Sequence, residues 1–271
     1  MPRSLRSAIF GLSALVALPL AAPLAAAPCG NDASGFAAWK AVYAQEAAAQ
    51  GVGQAGLAAL ANASYAQSTI NADRNQRGVR YELDEFMRIR WSDAYTRQAR
   101  GFLAQYPDFW ASLESAYGVP AEVILAIWGM ETGFGGNTGN SNVLNAILTL
   151  AYDCRRPEFF APHALAALKL VDRGTISGGS IGALHGELGH TQFLPGSILS
   201  FGVDGDGNGR LDMTNMTDAL ASTANYLRQH GWQPGQPYQE GTANFRVIEE
   251  WNAATVYQRA IALIASRIAA G

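Results

Sequence analysis

The stretch Ile124-Leu-Ala-Ile-Trp-Gly-Met-Glu131-Thr-Gly-Phe-Gly-Gly136 predicts an apolar helix that carries one acid. Helical spacing places four of its side chains on one face, namely Ile124, Ile127, Trp128 and Glu131. A carboxyl on an apolar face is desolvated, which raises its pKa towards the range that a general acid needs. The glycines that follow end the helix and permit close approach of a ligand to the backbone. The alternative is a glutamate that simply reaches solvent from the last turn.

The same helical spacing extends outward over most of the chain. It predicts helices within 35–61, 80–104, 107–117, 120–131, 143–152, 162–171, 216–230 and 247–270. The polar segment 68–78 is predicted to be a loop, and a short hairpin is an option near 205–211. Since no long alternating run predicts a central sheet, we expect one mainly α-helical mature domain.

Composition excludes several classes of protein. Of the 271 residues, 49% are hydrophobic and 15% are charged, which is unlike a disordered tail. The net charge of −3 offers no basic field for nucleic acid, so no nucleic-acid partner is expected. After Pro28 no apolar run has the ~18 residues of a membrane span.

The N-terminus has the three-part pattern of a secretory signal peptide. Arg3 and Arg6 precede an apolar segment, and small residues follow it up to a predicted cleavage site near Ala26. Residues 1–26 are therefore predicted to be the signal peptide and 27–271 the mature domain. The alternative is an uncleaved membrane anchor.

Export makes a disulfide plausible between the two cysteines of the chain, Cys29 and Cys154. Closing so long a loop is worth ~4–5 kcal/mol in the chain-entropy model. Two free thiols are the alternative.

Two further motifs suggest ligands. In Gly186-Glu-Leu-Gly-His-Thr-Gln192-Phe193-Leu-Pro-Gly-Ser197, an amide beside an aromatic ring suits a sugar, although an ordinary turn with a core Phe is the alternative. In Asp204-Gly-Asp-Gly-Asn-Gly-Arg-Leu-Asp212, oxygen ligands occupy positions 1, 3 and 5 of an EF-hand calcium loop. Position 12 is Asn215 rather than Glu, and Asp218 could close a longer loop. A turn without metal is the alternative.

Taken in order, the motifs resemble the membrane-bound lytic murein transglycosylase B family. The matching words are Gly-Val-Pro, Ile-Trp-Gly-Met-Glu-Thr-Gly-Phe-Gly, Cys-Arg-Arg-Pro-Glu-Phe-Phe, Gly-Glu-Leu-Gly-His-Thr-Gln-Phe-Leu-Pro, Val-Asp-Gly-Asp-Gly-Asn-Gly and Ala-Asn-Tyr-Leu-Arg-Gln-His-Gly-Trp. The resemblance implies a lysozyme-like helical domain with a glycan groove and a short EF-hand-like loop.

The resemblance also implies roles for individual residues. Glu131 would be the single catalytic acid and base. Glycan or stem-peptide binding would fall to Arg155, Arg156, Gln192, Phe193, Tyr226 and Asn252. A structural Ca²⁺ would be held by Asp204, Asp206, Asn208 and Asp218, and catalysis would need no cofactor. Two positions depart from the family pattern, because Ala183 stands where many members have serine and Glu187 where many have alanine.

The implied reaction cleaves the MurNAc–GlcNAc β-1,4 bond of peptidoglycan in the periplasm without water. One carboxylate suffices, because the 2-acetamido group can stabilise the cation and the 6-hydroxyl closes onto C1. Glycan strands are the expected partner, and cell-wall synthesis or secretion machinery are further candidate partners. A lysozyme-like hydrolase that uses Glu187 as second carboxylate and a non-catalytic wall-binding domain remain the alternatives.

Overall fold

The computed structural model describes residues 27–75, 81–90 and 92–271. The predicted signal peptide, residues 1–26, lies outside the described residues. A 3-10 turn at Ala33–Gly35 precedes helices α1 (Phe36–Ala49), α2 (Gln54–Asn62), α3 (Gln67–Arg74), α4 (Leu83–Ile89), α5 (Ser92–Gln105), α6 (Pro107–Tyr117), α7 (Ala121–Thr132), α8 (Val143–Tyr152), α9 (Pro157–Asp172), α10 (Pro195–Phe201), α11 (Met216–Gln229), α12 (Ala243–Trp251) and α13 (Thr255–Ala269). The fold is therefore mainly α, as predicted.

Helix α7 runs through the core rather than over it. Nine of the ten residues from Ala121 to Met130 are buried, all except Glu122, so the helix is enclosed on nearly every side and not only along the predicted stripe. It packs mainly against α13 and α5. Enclosure fixes the end of the helix, and with it the position of Glu131.

Among the described residues, buried apolar side chains form two clusters. One surrounds α7 and includes residues of α13, such as Ile261. The other surrounds α8 and α9 and includes Phe193. Tyr226 and Trp251 pack against both clusters. These two aromatic residues therefore mark the junction between the clusters.

The predicted element boundaries need three corrections. Most of the predicted loop 68–78 is the helix α3, because Thr69, Ile70 and Asp73 form a buried face between polar neighbours. The predicted helix 247–270 is two helices, α12 and α13, which are separated at Asn252. The suggested hairpin near 205–211 is wrong. The two-stranded sheet instead pairs β1 (Ser141–Asn142) with β2 (Ile181–Gly182) in antiparallel register.

The predicted disulfide is confirmed. Cys29 and Cys154 are bonded, with their Cα atoms 5.0 Å apart. The backbone on either side is also paired, since Gly30 donates to the Tyr152 carbonyl at 3.0 Å and accepts from the Cys154 amide at 3.2 Å. The segment that precedes the first helix is thus tied to the loop between α8 and α9.

Within the described ranges, no helix is long and apolar enough to cross a membrane.

Candidate active site

A groove of about 540 Å³ opens at the junction of the two core clusters. Its lining includes five of the sequence-predicted site residues. The full set is Glu131, Ala183, Leu184, His185, Glu187, Gln192, Phe193, Leu194, Ser197, Tyr226, Trp251 and Asn252. The structure therefore brings Gln192, Phe193, Tyr226 and Asn252 to the same cavity as Glu131, although they come from separate segments of the chain.

Glu131 is half-buried and held by two neutral donors. Its Oε1 accepts a hydrogen bond from the Trp251 indole N–H at 2.9 Å and another from the Tyr257 hydroxyl at 2.8 Å. Both bonds converge on the same oxygen. The second oxygen, Oε2, receives no hydrogen bond from the described residues.

The surroundings of Glu131 favour its protonated form. Burial raises the pKa of Glu131 above its usual range, and the negative charge of Glu187 adds to this effect. The hydrogen bonds from Trp251 and Tyr257, together with the charge of Arg90, lower the pKa but offset only part of the rise. A raised pKa is the direction of shift that a general acid requires.

The end of α7 is locked to the next wall of the groove. Gly133 has the left-handed conformation (φ 59°) that ends a helix without a side-chain clash. Thr132 donates through its hydroxyl to the His190 carbonyl at 2.6 Å, and the Gly135 amide donates to that hydroxyl at 2.8 Å. A β-carbon on Gly135 would collide with the His190 ring. The sequence predicts that a ligand approaches the backbone at these glycines. At Gly135 the group that approaches is instead the His190 ring of the protein.

Three aromatic rings form one wall of the groove. Phe193, Tyr226 and Trp251 meet edge to face, with centroids 5.2–6.0 Å apart. Tyr226 is fixed by a hydrogen bond from its hydroxyl to the Glu250 carbonyl at 2.7 Å. Flat apolar faces of this kind suit the apolar face of a sugar ring.

The two predicted amide side chains are positioned by backbone groups. Gln192 adopts a left-handed backbone (φ 53°), which is uncommon outside glycine, and its side-chain N–H donates to the Gly189 carbonyl at 3.0 Å. Asn252 stabilises the turn between α12 and α13, because its Oδ1 accepts a hydrogen bond from the Ala254 amide at 3.0 Å.

The predicted arginines lie elsewhere. Arg155 and Arg156 both form ion pairs with the buried Asp73 of α3, and neither lines the groove. Their side chains remain 40% and 38% exposed. The contact that the structure shows for both arginines is the ion pair with Asp73. Their binding to glycan or peptide stays a prediction.

The acidic loop lies between α10 and α11. Carboxylate oxygens of Asp204, Asp206 and Asp218 lie within 4.8 Å of one another. The Asn208 side chain instead bonds within the turn, since its Nδ2 donates to Asp206 at 2.9 Å. Three hard oxygen donors around one point fit the preference of Ca²⁺.

Sequence reasoning missed three residues at Glu131. Trp251 directly precedes the predicted Asn252 but was not itself predicted, and neither Tyr257 nor Arg90 carries a local signal. Arg90 donates a hydrogen bond to the Met130 carbonyl at 2.6 Å, although the two residues are 40 positions apart in the chain. Only the tertiary structure brings Arg90 after α4, Trp251 at the end of α12 and Tyr257 of α13 to the end of α7.

Comparison with known proteins identifies a matching family and a related enzyme. The transglycosylase SLT domain model matches residues 35–242. The membrane-bound lytic murein transglycosylase B of Escherichia coli is 35% identical over 136 residues. That match covers 49% of this chain and 38% of the E. coli protein, so it spans well under half of the relative's length.

Solved structures share the fold. SltB3 from Pseudomonas aeruginosa, in complex with NAG-anhNAM-pentapeptide, has a TM-score of 0.80 at 28% identity, over 88% of this chain and 80% of that chain. The lytic transglycosylase Slt35 of Escherichia coli, in complex with calcium, has a TM-score of 0.74 at 22% identity, over 90% of this chain and 96% of that chain. The fold is thus that of lysozyme-like lytic transglycosylases, and the chain belongs to the transglycosylase SLT domain family.

Proposed function

We propose that the chain is a peptidoglycan lytic transglycosylase that cleaves the MurNAc–GlcNAc β-1,4 bond and leaves a 1,6-anhydro-MurNAc end. The observation that carries the proposal is Glu131, a carboxyl whose pKa is raised by burial at the base of a groove wide enough for sugars. Membership of the family supports the same reaction.

Glu131 serves twice in the proposed reaction. Its protonated Oε2 gives a proton to the oxygen that bridges the two sugars, and the bond from that oxygen to C1 breaks. The muramoyl 2-acetamido group stabilises the cation at C1. The ionised Glu131 then takes the proton of the 6-hydroxyl, whose oxygen bonds to C1. No water is consumed, and Glu131 ends the cycle protonated.

The other groove residues would hold the glycan. We infer that Tyr226 packs against a sugar ring with the buried Phe193 ring behind it, and that Gln192 and Asn252 hydrogen-bond to polar groups of the glycan. Related structures support a ligand of this class, since SltB3 was solved with NAG-NAM-pentapeptide as well as with the anhydro form. Arg155 and Arg156 would act only on substrate groups that extend beyond the groove.

The test is the product. Purified peptidoglycan is incubated with the protein and the released muropeptides are weighed by mass spectrometry. An anhydro end is one water lighter than a reducing end. Anhydro ends support the proposal, whereas reducing ends alone would identify a hydrolase, and no release would leave a wall-binding domain.

We also propose export to the periplasm, because peptidoglycan lies there and residues 1–26 have the pattern of a signal peptide. N-terminal sequencing of the protein from its native host tests the predicted cleavage near Ala26. An intact N-terminus in the membrane fraction would contradict it.

We infer that the acidic loop holds one structural Ca²⁺ through Asp204, Asp206, Asp218 and, after its amide turns over, Asn208. Three carboxylates this close repel one another without a cation. Slt35, which shares the fold, was solved in complex with calcium. Calcium that binds only the folded state would stabilise it by ~2.7 kcal/mol at a hundred times Kd.

Melting curves in chelator, calcium and magnesium test the calcium site. Calcium should raise the melting temperature more than magnesium, which prefers a tighter octahedron. The Asp204→Ala, Asp206→Ala double variant should lose the shift. An Asp84→Ala, Glu85→Ala double variant removes two exposed acids of α4 and should keep it. Equal shifts in both double variants would contradict the site.

A further inference from the structure

Glu187 is a second carboxylate in the groove, and the proposed transglycosylation has no step for it. It lines the same cavity as Glu131, and its side chain is 25% exposed. Its charge acts directly on Glu131, whose pKa it helps to raise. Glu187 is therefore close to the reacting centre and accessible to a small molecule in the groove.

The loop that carries Glu187 is rigidly built. The Ala183 amide donates to the Glu187 carbonyl at 2.9 Å, and the Gly186 amide donates to the Ala183 carbonyl at 3.1 Å. A β-carbon on Gly182 would collide with the Glu187 carbonyl, so the turn closes tightly. The backbone of Glu187 is thus held in a tight turn beside the groove.

His185 supports the carboxylate. Its backbone amide donates to Glu187 Oε2 at 3.2 Å, and its ring Nδ1 lies 3.9 Å from Glu187 Oε1. Both side chains line the cavity. A carboxylate beside an imidazole is an arrangement that can accept a proton from water and pass it on.

We propose that the enzyme has a second, hydrolytic outcome, in which Glu187 is the base for a water molecule that attacks C1 in place of the 6-hydroxyl. This inference rests on the proposed function, because both outcomes share the first step at Glu131. The water oxygen bonds to C1 and its proton passes to the Glu187 carboxylate. Solvent then returns a proton to Glu131 and removes one from Glu187. The product is an ordinary reducing end.

Two carboxylates in one groove are typical of a hydrolysing glycosidase. Glu187 and Glu131 come from different segments of the chain and line the same cavity. The side chain at 183 is a methyl group, so that position offers no hydroxyl beside Glu187. In this scheme Glu187 sets the ratio of the two products.

The experiment is digestion of peptidoglycan in H₂¹⁸O, followed by rapid reduction and mass spectrometry. Anhydro ends and ¹⁸O-labelled reducing ends are counted in the same sample, and an enzyme-free incubation measures label that enters by exchange. The ratio of labelled to anhydro ends is unaffected by changes in total rate. We expect wild-type protein to give both products.

Glu187→Gln should lower the ratio by about tenfold or more, because a positioned base contributes about 10²–10⁴-fold. Glu187→Asp, which keeps a carboxylate, should retain more of the ratio than Glu187→Gln. Glu250→Gln removes a charge beside Trp251 without altering the lining and should leave the ratio unchanged. An unchanged ratio in Glu187→Gln would overturn the inference, as would anhydro ends without labelled ends. Loss of anhydro ends from the wild type would instead overturn the proposed function.

Discussion

Glu131 and Asp73 are both carboxyls placed by helices in low-exposure sites, yet their environments act in opposite directions. Burial raises the pKa of each. At Glu131 the partners that donate hydrogen bonds are the neutral Trp251 and Tyr257, and the pKa stays raised. At Asp73 the partners are the cations Arg155 and Arg156, and together they bring the pKa below its usual value.

The difference teaches which partner makes a carboxyl reactive and which makes it structural. A neutral donor orients a carboxyl without removing the advantage of protonation, so Glu131 can exchange a proton. Two guanidinium groups stabilise the ion, so Asp73 stays charged and clamps α3 to the segment before α9. The two sites can be separated by experiment, beginning with the largest effect.

Glu131→Gln should reduce the release of anhydro-muropeptides by about 10²–10⁴-fold or to background, because the amide cannot deliver or accept a proton. The fold should persist, since the amide oxygen can still accept from Trp251 and Tyr257. Muropeptide release and circular dichroism measure the two properties. A folded Glu131→Gln protein that retained wild-type activity would refute the catalytic role.

Asp73→Asn should instead destabilise the protein by about 2–3 kcal/mol. Removing one partner from a buried ion pair typically costs about 3–5 kcal/mol, and the partly exposed arginines reduce that cost. Urea midpoints measure it.

The matched control is Asp93→Asn, whose side chain is 80% exposed and pairs with Arg267. It should change stability by less than about 1 kcal/mol. Equal effects of the two variants would show that the Asp73 cluster is no more important than a surface ion pair.

Trp251→Phe should lower turnover by about three- to tenfold, because one hydrogen bond to the ionised carboxyl is lost. Without that donor the pKa of Glu131 rises further, so the basic limb of the pH–rate profile should move to higher pH. Trp110→Phe removes a buried indole bond to the Phe102 carbonyl, away from the groove. Trp110→Phe should lower stability but leave the basic limb of the pH–rate profile at the same pH. If the basic limb does not move in Trp251→Phe, Trp251 does not set the pKa of Glu131.

The pH dependence of stability should differ in sign between the two carboxyls. Glu131 has a raised pKa in the folded state, so its ionisation lowers stability as pH rises above the unfolded value of about 4.3. Glu131→Gln should therefore melt higher than wild type at pH 8 and converge with it near pH 4.

Asp73 has a lowered pKa, so its contribution is present above the unfolded value of about 3.9 and is lost as pH falls through the folded pKa. Asp73→Asn should thus lose less stability than wild type on acidification. Melting temperatures from pH 2 to pH 8 decide both points. If the melting temperatures of wild type, Glu131→Gln and Asp73→Asn change with pH in parallel, the two carboxyls do not differ in their effect on stability.

Much of the fold and part of the site could be predicted from local sequence. The spacing around Glu131 identified α7 and its acid, and the glycine at 133 marked the end of the helix. The Gln192-Phe193 pair and the three loop carboxylates were each visible as motifs, and the structure places the pair in the groove and gathers the carboxylates. Periodicity and turn chemistry act over a few residues, and a sequence displays them directly.

Only the tertiary structure decided what surrounds each of these groups. The break at Asn252 that sends α13 back along α7 brings the Tyr257 hydroxyl to Glu131, 126 residues away in the chain. The helix α3, read as a loop from its polar composition, delivers Asp73 to the arginines predicted to bind substrate. The sequence by itself determined which side chains are able to donate, accept or ionise. Packing determined which of them meet, because the free energy that fixes long-range contacts comes from burying the faces of helices that no local pattern pairs in advance.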